Sequence, residues 1–459
     1  MASSIRIGAG QGFYGDSADG AFDVATSGDV RYICFDALAE LTMAILTVHK
    51  LGNPTYGFAR DLPDFLERLL PVCREKGIRL ITNAGGVNPQ GGAAAAAKVA
   101  TALGMDDLRI ATVVGDDITP RVDGLREAGA PLRHLNTGDD LDGVRSRVVM
   151  GNAYLGARPL VEALERGADV VITGRVADAS LFVAPMVHEL GWDWEDWDRI
   201  AAGVVLGHLM ECSGQATGGN FSGDWWNLAD LDRVGYPVCE MRANGTALLT
   251  KPAGTGGRVS VGTVKEQLLY EVLDPSAYAN PDVVADFTSV QLRDVGPDVV
   301  EVSGVTGRPR TEDLKCILGY LDGFAATASI GYSWPDAEAK ARRAAELVER
   351  MCERSGLRPL ERVVEVIGVD SVHGPAAPHD PDVNEVVLRI CCRFETEAEA
   401  KRFPRLITPL GLNGPPFIGG GLAPQEPRRL LGVWPALLPR TAVEPLVEID
   451  VAEARTWTA

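Results

Sequence analysis

Short apolar, β-rich runs alternate with helical patterns through the first half of the chain, and each run breaks into glycine or a polar residue. Ile5-Arg6-Ile7 leads into Gly8-Ala9-Gly10-Gln11-Gly12. Tyr32-Ile33-Cys34-Phe35 leads into Asp36, and Ile78-Arg79-Leu80-Ile81 into Thr82-Asn83-Ala84-Gly85-Gly86. Leu108 to Val114 leads into Gly115-Asp116-Asp117, Val148-Val149-Met150 into Gly151-Asn152-Ala153, and Asp169 to Ile172 into Thr173-Gly174-Arg175. Strands spaced by helices are βα units, so the expected fold is α/β, with a mainly parallel sheet and flanking helices. Helix signals agree. Ala93 to Leu103 stops at Gly104, and Pro159 to Arg166 stops at Gly167, the positions where proline and glycine are favoured.

The second half is patterned differently. Phe287 to Leu292 and Val299 to Val302 flank Gly296-Pro297-Asp298, a hairpin signal. Cys316 to Tyr320 and Ala325 to Tyr332 flank Asp322-Gly323, a second one. Pro335 to Arg354 is an amphipathic helix ending at Gly356, Arg362 to Val369 and Glu385 to Phe394 look like strands, and Glu397 to Phe403 like a short helix. Hairpins plus helices predict an α+β sandwich. The expected domains are therefore 1–280, carrying the glycine-rich loops and candidate active site, and 281–459.

Composition narrows the partners. The 459 residues hold 44 Lys and Arg against 63 Asp and Glu, a formal charge of −19. That argues against nucleic acid or an anionic membrane, both of which reward a basic face. No apolar run approaches the roughly 18 residues of a membrane span, and no leader is visible at the start. The eight cysteines form no CxxC pair. The expectation is a cytoplasmic protein with a small-molecule substrate, and a homo-oligomer, with a homodimer as the default.

In open parallel sheets, ligands bind beyond the carboxyl ends of the strands. The loops there carry Gly10, Gly12, Asp36, Asn83, Gly85, Gly86, Asp116, Asp117, Asn152, Arg175 and Asp178, with Glu40 one turn after Asp36. For one loop alone, turn chemistry is the plainer reading; six loops sharing the feature point to a site. Arg175 is expected to fork a carboxylate or phosphate, or simply to pair with Asp178. His208, Glu211 and Cys212 stand at i, i+3 and i+4, one helix face, so they are candidates for acid–base or thiolate chemistry. A buried hydrogen-bonded His beside an inert Cys is the alternative. A metal needs a third or fourth ligand, which the sequence does not indicate. His373 and His379 read as loop residues.

Three glycine-rich loops could hold an anion through backbone N–H groups. They are Gly8 to Gly12, Thr217-Gly218-Gly219-Asn220, and Gly254-Thr255-Gly256-Gly257 with Lys251 just before it. The first has Phe13 where a dinucleotide fingerprint needs its last glycine, and none is a Walker sequence. No cofactor is therefore named by the residues.

Arg6 to Asp16, Asp36-Ala37-Leu38-Ala39-Glu40-Leu41-Thr42, Thr82 to Gly86 and Thr173 to Asp178 carry a likeness. So do Gly207-His208 through Asn220, Thr250-Lys251-Pro252 with Gly254 to Gly257, and Asp286-Phe287-Thr288. On these stretches the chain resembles the acyclic terpene utilisation AtuA family. The likeness runs out near residue 459, without the small ferredoxin-like domain that some relatives carry. It implies a link to breakdown of citronellol- or geraniol-like acyclic terpenoids through CoA thioesters, and transfers no catalytic residues.

The leading expectation is an enzyme of acyl-CoA or branched carboxylic acid metabolism, a hydratase or lyase adding or removing water or cleaving a C–C bond. Asp36, Glu40, Asp178, His208, Glu211 and Cys212 would do the chemistry. Lys251 or Arg175 would hold the anionic end, and backbone N–H groups at Gly85-Gly86 or Gly218-Gly219 would face the oxyanion. The alternatives are a non-catalytic subunit or scaffold of a carboxylase-type complex, and a nucleotide-dependent acyl-activating enzyme.

Overall fold

Tyr32-Ile33-Cys34-Phe35 and Val170-Val171-Ile172-Thr173 are buried at every position. Runs like these become strands because helices cover both faces of the sheet. The computed structural model describes residues 2–378, 382–421 and 425–457. Its first strands are β1 (Ser4–Gln11), β2 (Tyr32–Phe35), β3 (Arg79–Thr82), β4 (Arg109–Val114), β5 (Val148–Ala153) and β6 (Val170–Thr173). Between and after them come α1 (Ala18–Ser27), α2 (Glu40–Gly52), α3 (Leu62–Lys76), α4 (Pro89–Ala102), α5 (Val122–Glu127), α6 (Arg158–Glu165), α7 (Ser180–Leu190) and α8 (Trp197–Glu211). The chain continues with β7 (Val238–Arg242), β8 (Ala247–Thr250), α9 (Val261–Leu269), β9 (Tyr278–Ala279), β10 (Val284–Asp286), β11 (Gln291–Gly296), β12 (Val299–Ser303) and β13 (Thr306–Arg308). Then follow β14 (Asp313–Ser333), α10 (Ala337–Ser355), β15 (Glu361–Ile367), β16 (Glu385–Phe394), α11 (Glu397–Ile407), β17 (Ile418–Gly421), β18 (Arg428–Pro439) and β19 (Glu448–Glu453).

The fold is mixed α/β. A ten-stranded sheet has the order β11-β12-β8-β7-β1-β2-β3-β6-β4-β19. Its middle five strands, β1-β2-β3-β6-β4, are mutually parallel. The flanking ladders are antiparallel, so the sheet is mixed rather than mainly parallel. One expected member is missing from it. β5 pairs with β14 instead, although its sequence reads like the others. A short apolar run specifies a strand, not its neighbour.

Two compact units divide the chain. The first comprises Met1–Gly143, Val149–Leu318 and Val433–Ala459, the second Val144–Val148 and Gly319–Gly432. Residues 281–318 and 433–459, placed in a second domain by sequence pattern, thus group with the first unit, because β11, β12 and β19 extend its sheet. In the second unit β15, β16, β14 and β17 form antiparallel ladders. α10 lays Ala341, Ala344, Val348 and Cys352 on the sheet face with Phe394 and Phe403, and ends at Gly356 with φ +69°.

The Gly296-Pro297-Asp298 hairpin forms, with β11 starting at Gln291 after a 3-10 turn at Phe287–Ser289. The second expected hairpin does not. Asp322-Gly323 lies inside the single strand β14. Gly323 takes φ +81°, and a Cβ there would meet the Phe394 carbonyl oxygen at 2.2 Å. The glycine serves a close approach to β16, not a reversal.

Candidate functional site

Parallel strands end on the same edge, and that is why distant residues meet. Asp36 follows β2 directly, Asn83 follows β3, Asp116 lies two residues beyond β4, and Arg175 two beyond β6. Asn83 Nδ2 donates to Asp36 Oδ1 at 2.6 Å, and Asn83 Oδ1 accepts from the Ala37 N–H at 2.7 Å. Asp116 Oδ2 accepts from the Arg175 N–H at 2.8 Å and from Asn152 Nδ2 at 2.7 Å. The Arg175 guanidinium, 3% exposed, donates to the Leu38 carbonyl at 3.0 Å and to Asp178 Oδ1 at 2.6 Å. Of the two sequence readings of Arg175, the pairing with Asp178 is the one formed here.

A second layer joins from other segments. The Arg175 guanidinium lies 4.2 Å from the Tyr154 ring centre, and Lys315 Nζ lies 4.6 Å from it on β14. Tyr154 OH donates to Glu40 Oε1 at 2.6 Å, and Lys315 Nζ to the same oxygen at 3.0 Å. Burial disfavours the Glu40 carboxylate, yet Lys315, Tyr154 and Arg175 outweigh it and bring its pKa down to about 2. Glu40 is therefore a fixed anion.

α8 contributes from the far side of the sequence. It is buried from Ile200 to Glu211, so His208 sits in apolar packing, its ring 5.4 Å from Phe287 and 6.0 Å from Tyr278. His208 Nδ1 is 2.8 Å from Glu211 Oε1, and Nε2 is 2.8 Å from the Gln267 carbonyl oxygen. Gln267 Nε2 returns a bond to the His208 carbonyl at 2.8 Å, clamping α8 to α9. Glu211 Oε2 is buried without a partner. Burial raises the Glu211 pKa to about 7, against the pull of His208, with Asp178 and Glu271 adding to the rise. Asp36 lies well above the usual carboxylate range because it is buried and faces Asp178 and Glu211. Arg175 stays charged despite burial, since Asp178, Tyr154 and Asp36 hold it so. Burial, then Glu211, push the Cys212 thiol up, which removes thiolate reactivity at neutral pH.

The structure thus brings together Asp36, Asn83, Arg175, Asp178, Glu211, His208 and Cys212, with Glu40 beside them. The glycines serve otherwise. Gly8 and Gly10 lie inside β1, where a Cβ at Gly8 would meet Val24 at 2.2 Å and one at Gly10 the Phe35 ring at 2.4 Å. Gly12 packs on Ser213, and its N–H donates to Asp16 Oδ2. Gly85 packs on the Thr173 carbonyl. The N–H groups of Gly86, Gly218 and Gly219 are spent on Asn83, Gln215 and Gly214 carbonyls, so none of the three is free for an oxyanion. Gly218 and Gly257 lock two loops together, with the Arg258 N–H on the Thr217 carbonyl at 2.7 Å. Gly256 approaches the Asp230 carbonyl, Asn220 is exposed, and Lys251 Nζ is held by the Thr255 carbonyl at 2.7 Å and by Asp298. The loop of Gly10 and Gly12 meets the cluster through its backbone, the Asp36 N–H donating to the Gln11 carbonyl at 3.0 Å; among the described residues no hydrogen bond ties the loops at 217–220 and 254–257 to Asp36, Arg175 or Asp178. His373 is exposed in the second unit, and His379 lies outside the described residues.

The sequence profile described as acyclic terpene utilisation family protein AtuA matches residues 5–449 of this chain. The chain belongs to the AtuA family. No curated protein and no solved structure matches it. In this AtuA-family chain the match spans both the cluster and the second unit. Among the described residues no helix is long and apolar enough to cross a membrane, and no group of three or more His, Cys, Asp or Glu could hold a metal ion.

Tyr154, Lys315, Gln267 and Tyr278 escaped sequence reading. Tyr154 follows Asn152 by two residues at the end of β5, a strand-end signal that was available. Lys315 lies near the start of β14, and no local pattern marks it.

Proposed function

We propose that this AtuA-family protein is an enzyme of acyclic terpene utilisation that moves a proton on an acyl-CoA or branched carboxylic acid, in a hydration, dehydration or C–C cleavage. The observation that carries the reading is Glu211: buried, with a pKa near 7, and with one carboxyl oxygen free. A general acid or base works best when its pKa lies near the operating pH. Asp36, its pKa raised by burial and by Asp178, is the complementary acid. Glu211 takes the proton from carbon or water, and Asp36 gives one to the leaving oxygen. Arg175 and Lys315, held by fixed carboxylates, supply positive charge to a carbonyl or carboxylate. His208 orients Glu211, and its own ring nitrogens are both occupied. A cytoplasmic, homo-oligomeric protein goes with this reading.

The test is turnover of branched, unsaturated acyl-CoA thioesters and of the free acids by the full chain and by Glu211→Gln. Turnover that falls by about 100-fold or more in the variant supports the reading. Equal rates, or no turnover of any substrate by the unaltered protein, overturn it.

A non-catalytic subunit of a carboxylase-type complex is the second reading, supported by one feature. Trp225 and Trp226 are 55% and 67% exposed and stack edge to face at 5.7 Å. Exposed tryptophans of this kind are the usual anchors of protein interfaces. Stable co-purification with such a complex, lost in a Trp225→Ala, Trp226→Ala double variant, supports it.

A further inference from the structure

A cavity of about 330 Å³ lies apart from the carboxylate cluster, within the first unit. Arg158, Arg166, Arg310 and Arg440 line it, together with Glu162, Asp282 and Glu444; Arg166 and Glu162 pair with each other. The charges do not cancel locally. Glu444 Oε1 is shared, 2.8 Å from Arg310 Nη1 and 3.4 Å from Arg440 Nη1. Asp282 is turned onto the Ala157 N–H at 2.9 Å and the Ser180 hydroxyl at 2.7 Å. Asp282 thereby ties down the residue that opens α6. Arg158 makes no hydrogen bond or ion pair to any described residue; its guanidinium rests on the Trp194 ring at 4.4 Å.

Four arginines against three carboxyl groups leave one positive charge in excess, in a chain whose formal charge is −19, and Arg158 is the arginine with no carboxylate bound to it among the described residues. Burial, followed by repulsion from Arg310, lowers the pKa of both Arg158 and Arg440. Structural ion pairs do the opposite, since they hold arginine charge in place. Guanidinium forks match the several oxygens of a phosphate, which can accept from more than one arginine at once.

We propose that the cavity lined by Arg158, Arg310 and Arg440 is a binding site for a phosphate-bearing anion, separate from the site at Glu211 and independent of what that site catalyses. Leu155 and Gly156 line the cavity one and two residues after Tyr154, which faces Arg175. A phosphorylated ligand held here therefore lies beside the segment that carries Tyr154.

The experiment is calorimetric titration of the full chain with pyrophosphate, adenosine 3′,5′-bisphosphate and succinate, at low and at moderate salt. Saturable binding of either phosphate compound, weakened by salt and by about tenfold or more in Arg158→Gln, supports the site. Pyrophosphate alone identifies a free phosphate ligand. The bisphosphate binding more tightly identifies a nucleotide-linked one. His208→Ala should bind like the unaltered protein. Binding unchanged in both Arg158→Gln and Arg310→Gln, no binding of any phosphate compound, or equal binding of succinate overturns the proposal.

Discussion

His208 Nε2 faces the carbonyl oxygen of Gln267, which only accepts, so that nitrogen carries a hydrogen. The remaining nitrogen, Nδ1, and Glu211 Oε1 then share a single proton across 2.8 Å. The imidazole is consumed by this arrangement, and what it governs is the charge and aim of Glu211.

On the proposed reading, a base at Glu211 in the unaltered protein becomes active as pH rises through about 7. His208 pulls that pKa down against burial. Removing the ring in His208→Ala should move the acid limb of kcat/KM to higher pH and lower its plateau. A pH–rate profile that keeps its midpoint while only the plateau falls would remove His208 from this role.

The same carboxyl opposes folding at high pH. Its pKa is about 7 folded against 4.5 for a glutamate free in water, so its contribution is fully present below 4.5 and lost as pH rises to about 7. At 1.36 kcal/mol per unit, roughly 3 kcal/mol is at stake. His208, its pKa raised mainly by Glu211 against burial, adds in the same direction. Glu211→Gln should therefore gain stability relative to the unaltered protein between pH 5 and pH 8 in urea unfolding. A constant difference across that window contradicts the assignment.

Arg175 compensates Asp178 inside the fold. Arg175→Gln keeps much of the shape but strands that carboxylate, a change that costs about 3–5 kcal/mol for a fully buried pair and less here, because Asp178 is partly exposed. The loss should shrink markedly in the Arg175→Gln, Asp178→Asn double variant. Equal losses in both would mean that packing, not charge, is at work.

Cys212 is a bystander on this view. Cys212→Ser should retain activity within about threefold, and iodoacetamide should modify the native protein slowly at pH 7.5. Loss of activity by about 100-fold in that variant would restore the thiol to the chemistry.

Much of the site could be read in advance because its members stand at strand ends, and parallel strands align those ends whatever the sequence distance. Asp36, Asn83 and Arg175 were found that way. The i, i+3 spacing of His208 and Glu211 was equally legible. Lys315 was not, because its placement depends on β14 pairing, which is non-local. The glycines misled for a related reason. Gly10 and Gly218 look like loops that greet a ligand, yet the neighbours that demand a missing side chain are Phe35 and Arg258, segments invisible from the local pattern. The Asp322-Gly323 pair shows the same failure in reverse, a turn signature overridden by its partner strand.

The position of β19 has a consequence for biosynthesis. β4 leaves the ribosome long before Glu448–Glu453, the strand that covers its outer edge. Until that strand has been made, the nascent sheet carries an open hydrogen-bonding edge, the feature that invites association with other chains. Chaperone protection of the growing polypeptide, and poor recovery of C-terminally truncated forms, follow from that order of synthesis.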